Sequence, residues 1–263
     1  MATDLTPRKA HPAALRFRAV MALTVLLALV VLTLESAVFQ SPTSAQTDSG
    51  WSAWAPAEGG TKGLQEIADH VAPTYKSASG DQIVTATGGP LTVAGLPARI
   101  AVRNADGNGK IEIVSGEGAL FSLCGLGPNC SIPTGKPSVE RMLLLRRQAL
   151  ELALYAFKGN DLLKNVVVMM PPRPGTRTVK LNDGKTVVAG NQGTAMLFQR
   201  DKLATQLDQP LNRTLPQQVP TVAGVKASPE MSAVASITEP TMYLGSVVQG
   251  QDGSAYIVLD PLT

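Results

Sequence analysis

An uncharged apolar run of sixteen residues, from Ala19 to Leu34, constrains this chain more than any other feature. At about 1.5 Å per residue it spans roughly 24 Å, and interfacial residues up to Phe39 extend it toward the ~30 Å of a hydrocarbon core. A basic flank before such a run orients the rest of a chain to the outer side of a membrane. The four flanking basic residues are Arg8, Lys9, Arg16 and Arg18. The sequence therefore predicts a cytoplasmic basic tail at 1–18 and a single transmembrane helix, a signal anchor, at 19–39.

A cleaved secretory signal is the alternative interpretation of this segment. Pro42 and the small residues Thr43 and Ala45 would then supply a cleavage site near Ala45, and the protein would be secreted. Both interpretations export the residues that follow Glu35. We therefore expect the bulk of the chain to be extracytoplasmic, where disulfides form and persist.

The charge distribution argues against a nucleic-acid partner. The chain has a formal net charge of +3, but this excess lies before residue 19, where four basic residues accompany one acidic residue, Asp4. The exported part is formally neutral, so the pI of 8.9 reflects membrane orientation. Aromatic residues make up only 4% of the chain, which leaves little surface for stacking on bases or sugars.

Two cysteines, Cys124 and Cys130, enclose a five-residue loop that contains two glycines and a proline. These turn-forming residues let the two Cα atoms approach, so we predict a structural disulfide that contributes about 2–3 kcal/mol. A redox pair, a metal site or two free thiols are the alternatives. A redox motif usually has two intervening residues, and a metal site needs more ligands than His70, so we expect neither a metal nor a cofactor.

Composition divides the exported part into a linker and a domain. Residues 40–60 are rich in Ser, Thr, Ala, Pro and Gly and predict a flexible linker. Its Trp51 and Trp54 would lie either in the membrane interface or against the base of the domain. Residues 61–263 predict an extracytoplasmic α+β domain of mostly antiparallel strands packed on two main helices, with a possible subdivision near residue 172.

Periodicity places the elements of this domain. It predicts a first helix at 61–76 with Thr61 as its N-cap, a long and mostly buried second helix at 138–157, and a short helix at 201–207. Residues 209–240 hold five prolines and predict a long surface excursion. The predicted strands are 82–87, 91–94, 98–103, 110–114, 119–123, 166–170, 178–181, 185–189, 194–199, 242–249 and 255–259.

The exported part contains one basic cluster, formed by Arg141, Arg146 and Arg147 on the second helix. These side chains are candidates for contact with an acidic envelope polymer or with a carboxylate of a partner. The alternative is that they form the solvated edge of a buried helix, with Arg147 and Glu151 paired at i,i+4. His70 lies near the end of the first helix, where a packing or surface role is expected.

Two further patterns suggest chemistry without a complete signature. Residues 104–109 alternate oxygen-bearing side chains like a calcium loop, but Ser115 stands where a bidentate glutamate is required, which favours a hairpin turn. Four carboxylates from separate loops would suit glycoside hydrolysis if the fold brought them together. They are Glu112, Glu117, Asp183 and Asp252.

The functional expectation rests on tethering rather than on a motif. A domain held near the bilayer gains effective concentration for membrane-proximal partners without high intrinsic affinity. We therefore expect a non-enzymatic accessory or assembly factor that contacts the lipid bilayer through its N-terminal helix and binds an envelope protein. The alternatives are an envelope hydrolase with loop-borne carboxylates and an extracytoplasmic ligand-sensing domain. The layout resembles bacterial single-pass envelope proteins in topology only.

Overall fold

The computed structural model describes residues 51–104, 109–172, 178–180, 186–188, 193–250 and 253–262. Contacts divide the chain into Met1–Ser49 and Gly50–Thr263, and every described residue belongs to the second unit. The predicted tail and transmembrane helix, residues 1–39, lie outside the described residues. None of the helices within the described ranges is long and apolar enough to cross a bilayer.

The described part is a mixed α+β fold with a nearly closed sheet and a few helices. The strands are β1 (Val84–Pro90), β2 (Thr92–Val93), β3 (Leu96–Arg103), β4 (Ile111–Val114), β5 (Glu117–Gly125), β6 (Leu163–Met169), β7 (Thr178–Lys180), β8 (Thr186–Val188), β9 (Gly193–Gln199), β10 (Met242–Gln249) and β11 (Ala255–Pro261). The helices are α1 (Gly60–Val71), α2 (Val139–Gly159), α3 (Ala204–Leu207), α4 (Leu211–Thr214) and α5 (Met231–Thr238). Short 3₁₀ turns occur at Ala72–Thr74, Pro128–Cys130, Arg200–Leu203, Val225–Ala227 and Glu239–Thr241.

One sheet joins nine of the described strands in the order β1-β5-β6-β9-β10-β11-β3-β2, with β4 also paired to β3. The β5–β6 and β11–β3 pairs are parallel, and the other pairs are antiparallel. Leu91 links the two ends of this order, because its N–H donates to Gly118 O (3.2 Å) on β5 and its carbonyl accepts from Ala98 N (2.9 Å) on β3. The sheet therefore curls back almost onto itself.

Alternation along the strands divides the apolar side chains between two cores. Val167 of β6 faces an inner core with Ile100, Leu197, Ile257 and Leu259. Its neighbours Val166 and Val168 face a larger outer core shared with the helices. Fully buried strand residues of the outer core come from β1, β5, β6 and β9, and α1 and α2 cover this half of the sheet.

Helix α2 begins where the sequence predicts, with Ser138 as its N-cap accepting from the backbone N–H of Arg141 (3.2 Å). Most of its length is buried, including Leu144, Leu150 and Phe157, each at 0% exposure. Such a helix buries several sides at once because it packs on the sheet and on both α1 and α5.

Helix α1 starts one residue earlier than predicted, with Gly59 rather than Thr61 at the N-cap position and no side-chain cap. Its fit on β1 depends on Gly88, whose N–H donates to Gln65 Oε1 (3.1 Å). A Cβ at Gly88 would lie 2.3 Å from Leu64 O, so only glycine lets the helix backbone come this close.

The prediction of a surface excursion at 209–240 is wrong. This segment contains α4 and α5 and buries Leu211, Leu215, Val225 and Val234 against the outer core. Its helices span only 4 and 8 residues between prolines, so the periodic signal is too short to detect. Across residue 172, β6 pairs directly with β9, so the chain on both sides of that point belongs to the same sheet.

Candidate functional site

A cleft of about 480 Å³ lies where the start of α2 meets the residues that follow β6. This volume falls within the ~300–1,000 Å³ range of small-molecule sites. Among the described residues that line it, Arg141 is the only charged one and Ser138 is the other polar one. The apolar lining residues are Ile132, Met142, Leu145, Met170, Pro137, Pro171 and Pro172.

The cysteine loop positions one wall of this cleft. The sulfur atoms of Cys124 and Cys130 lie 2.08 Å apart, at disulfide distance, and close the loop at the end of β5. The loop folds back on Gly125, where a Cβ would lie 2.2 Å from Ser131 O, so a side chain at this position would prevent closure. The backbone N–H of Gly127 also donates to Ser131 O (2.8 Å). This turn leads directly to Ile132 in the cleft wall.

Arg141 is held at the edge of the cleft by its Nη1, which donates to Thr134 O (3.0 Å). Partial burial lowers the pKa of Arg141, but a guanidinium keeps its charge at any physiological pH. The neighbouring Glu140 does not neutralise it, because Lys226 Nζ lies 2.9 Å from Glu140 Oε1. That hydrogen bond lowers the pKa of Glu140 to about 2. Arg141 therefore gives the cleft a positive edge.

The other two arginines of the predicted cluster point elsewhere. Arg146 donates to Thr238 Oγ1 (2.7 Å) and Ala235 O (2.6 Å) at the end of α5, and burial lowers its pKa. Arg147 is 1% exposed, so the interpretation of this residue as part of a solvated edge is wrong. The three side chains occupy three environments, and only Arg141 borders the cleft.

Arg147 instead lies at the centre of a buried polar network. It donates to Tyr75 Oη (2.6 Å) and pairs with Glu151 (3.3 Å), the predicted i,i+4 partner, and with Glu230 (3.7 Å). Tyr75 donates to Glu151 Oε2 (2.5 Å). Desolvation raises the pKa of Glu151, and Arg147 opposes this shift. The network joins the end of α1, α2 and the segment before α5, and so acts as an internal cross-link.

Trp51 and Trp54 belong to an aromatic cluster on the domain. The Trp54 ring stacks on His70 at 3.9 Å between centroids, and both rings meet the edge of Tyr155 at 5.3 and 5.9 Å. Trp51 contacts the same Tyr155 at 5.4 Å, and Ser52 Oγ shares a hydrogen bond with Tyr155 Oη (2.8 Å). Residues assigned to the linker thus pack against the base of the domain, and burial lowers the pKa of His70.

The remaining chemical patterns find little support among the described residues. No cluster of three His, Cys, Asp or Glu side chains able to hold a metal occurs in the described ranges. Glu112 on β4 and Glu117 at the start of β5 are exposed. Asp183, Asp252 and residues 105–108 of the calcium-like loop lie outside the described residues.

The chain matches no protein-family model, no curated protein and no solved structure. The cleft itself was not predicted from the sequence, because Ile132 and Met170 meet only through the fold. One local feature of the sequence is related to the cleft. The N-cap Ser138 followed by Arg141 in the first helical turn places a cation where α2 begins.

Proposed function

We propose that this chain is a membrane-anchored extracytoplasmic binding protein, an accessory factor that takes an apolar segment of a membrane-proximal envelope protein into the cleft at the start of α2. One observation carries the proposal. Within the part of the chain that the structure describes, the cleft combines apolar walls with one cation, Arg141, at its edge. Apolar walls with a few placed polar groups are typical of binding sites.

The chemistry expected of the bound segment follows from the lining. Met142 and Met170 are unbranched and adapt their shape to the groups that they contact. The Arg141 guanidinium favours a carboxylate, with which it forms charge-assisted and often bidentate hydrogen bonds. The partner segment would therefore carry apolar side chains next to an acidic group.

Binding is favoured over catalysis because Ser138 and the candidate reactive groups of the described residues have structural roles. The Ser138 hydroxyl caps α2, and the His70 ring is stacked on Trp54. Glu151 and Glu230 are held by Arg147. A nucleophile or general base must reach a substrate, and these groups are already engaged.

Photo-crosslinking in intact membranes tests the cleft. Two exposed apolar residues, Val139 at the start of α2 and Leu162 after its end, are 80% and 72% exposed and form a matched pair. A p-benzoylphenylalanine at position 139 should yield a defined protein adduct that Arg141→Glu reduces at least tenfold. The same probe at position 162 should not yield it. Equal adducts at both positions, or adducts indifferent to Arg141→Glu, would contradict the proposal.

Fractionation tests the anchoring separately. We expect immunoblots to recover the full-length chain in the membrane fraction, and a reporter enzyme fused after Thr263 to be active on the outer side. Recovery of a shortened chain in the culture medium would instead establish the cleaved-signal alternative.

A further inference from the structure

Strand β4 forms an edge of the sheet. It pairs with β3 in a regular antiparallel register that runs from Ile100↔Val114 to Arg103↔Ile111. Among the described residues no strand pairs with its other side. Such an edge presents unpaired backbone groups, which a strand from another chain can use.

The direction of these backbone groups follows from one hydrogen bond. Asn104 N donates to Lys110 O (2.9 Å), which continues the β3–β4 ladder by one pair. Residues of an antiparallel pair alternate between facing the partner strand and facing away from it. Glu112 therefore directs its backbone groups toward β3. Ile111 and Ile113 direct theirs, two donors and two acceptors, toward the open side.

The side chains of this edge offer little protection against pairing, because Glu112 is the one charged residue among them. Ile111 and Ile113 share one face and are 46% and 48% exposed. Natural edge strands usually carry lysine, proline or a bulge that blocks addition of another strand. The four residues of β4 contain none of these, and their only charge is the exposed Glu112.

We propose that β4 is a docking edge for an extended segment of a partner protein, which adds to the sheet as a further strand. The segment would bond to the backbone of Ile111 and Ile113 and place apolar, β-branched side chains beside them. Glu112 selects a Lys or Arg between those apolar positions, because opposite charges across a strand pair are favourable. This surface is separate from the cleft, so the protein would hold two partner segments at once.

A second copy of this chain fits the edge less well in the register that pairs both isoleucines. Antiparallel pairing of two β4 strands with Ile111 opposite Ile113 of the other copy places the two Glu112 side chains directly opposite each other. Like charges in this position are destabilising. In this register the charge of the strand favours a different protein with a basic residue in the middle of its segment. With Ile111 opposite Ile111, Glu112 would face Lys110 of the other copy, so the sedimentation measurement given below distinguishes the two occupants.

Peptide labelling of the full-length chain in nanodiscs tests this inference. The probe is an end-blocked peptide, Thr-Val-Lys-Val-Thr, that carries a biotin and a benzophenone, and the control peptide has Glu in place of Lys. We expect Ile113→Pro to reduce labelling at least fivefold, because it removes an N–H that faces outward and not one that bonds to β3. With Glu112→Lys, the Glu peptide should label the protein more strongly than the Lys peptide does.

Two controls keep the result interpretable. Val247 on β10 is 53% exposed, and Val247→Thr should leave labelling unchanged. Ile113→Lys replaces Ile113→Pro if the proline variant loses its far-UV circular dichroism. The proposal would be overturned if the Ile113 variants were labelled as strongly as the wild type. It would also be overturned if Glu112→Lys did not change which of the two peptides labels the protein more strongly. A dimer in sedimentation that Ile113→Pro abolishes would also overturn it, because the occupant would then be a second copy.

Discussion

The two halves of the sheet differ in what covers their outer faces. Over β1, β5, β6 and β9, the helices bury residues such as Phe121 and Phe198 completely. On β4, Ile111 and Ile113 remain about half exposed although the same alternation governs both halves. The pattern of apolar residues therefore marks which residues belong to strands, but the placement of the helices decides which half becomes core and which becomes surface.

The largest effect is expected from the buried network of the covered half. Arg147→Ala would leave Glu151 and Glu230 without their common cation and should lower the free energy of unfolding by about 3–5 kcal/mol. Arg141→Ala, on the same helix but at the cleft edge, should cost about 0.5 kcal/mol. Urea denaturation of both variants measures the difference. Similar losses would mean that Arg147 is not the cross-link described above.

A matched pair of truncations tests the comparison directly. Leu150→Ala removes a fully buried side chain from the covered half and should cost about 2–5 kcal/mol. Ile113→Ala trims a half-exposed side chain of the uncovered half and should cost about 0.5 kcal/mol. Chemical denaturation of the two variants gives both values. If Ile113→Ala lowered the free energy of unfolding as much as Leu150→Ala, the Ile113 side chain would be buried and not half exposed.

The cysteine loop should have an intermediate effect. Replacing both Cys124 and Cys130 by Ser reopens a small loop, for which chain entropy predicts a loss of about 2 kcal/mol. Wild-type protein treated with reductant is the matched control and should lose a similar amount. If the double variant lost more than Leu150→Ala, the bridge would support the whole fold and not only the turn beside the cleft.

The smallest effect is a change in pH dependence. Desolvation raises the pKa of Glu151 above its ordinary value of 4.5, so the folded state retains this proton longer than the unfolded state does. Stability should therefore fall as pH rises through the interval between those two pKa values, by at most about 1.4 kcal/mol per pH unit. Glu151→Gln should remove this slope in denaturation curves recorded from pH 4 to 7. If the slope were unchanged in Glu151→Gln, the pH dependence of stability would come from another titratable group.

The sequence predicted the regular elements better than the packing among them. The sequence predicted helix α2 at 138–157 and strands β10 and β11 at 242–249 and 255–259, and the structure has all three elements, with the two strands paired. The core role of residues 209–240 was missed because short helices bury isolated anchors such as Val225 and Val234 without a full period. The parallel pairing of β3 with β11 joins distant parts of the chain, which no local pattern encodes.

The candidate site was harder to predict for the same reason. Three neighbouring arginines form a cluster in sequence, but a helix turns about 100° per residue and sends them to different surroundings. The burial of Arg147 depends on Tyr75 and Glu230, which are far from it in sequence. Spacing alone could not separate the residue at the cleft from the two that hold the helices together.

The aromatic cluster at the base of the domain has a consequence for spectroscopy. The chain has only two tryptophans, and both contact Tyr155. Fluorescence emission would therefore report on this one corner, whereas far-UV circular dichroism would report on the backbone of the sheet and helices. Superimposable melting curves from the two signals would establish that the segment of Trp51 and Trp54 unfolds together with the whole domain.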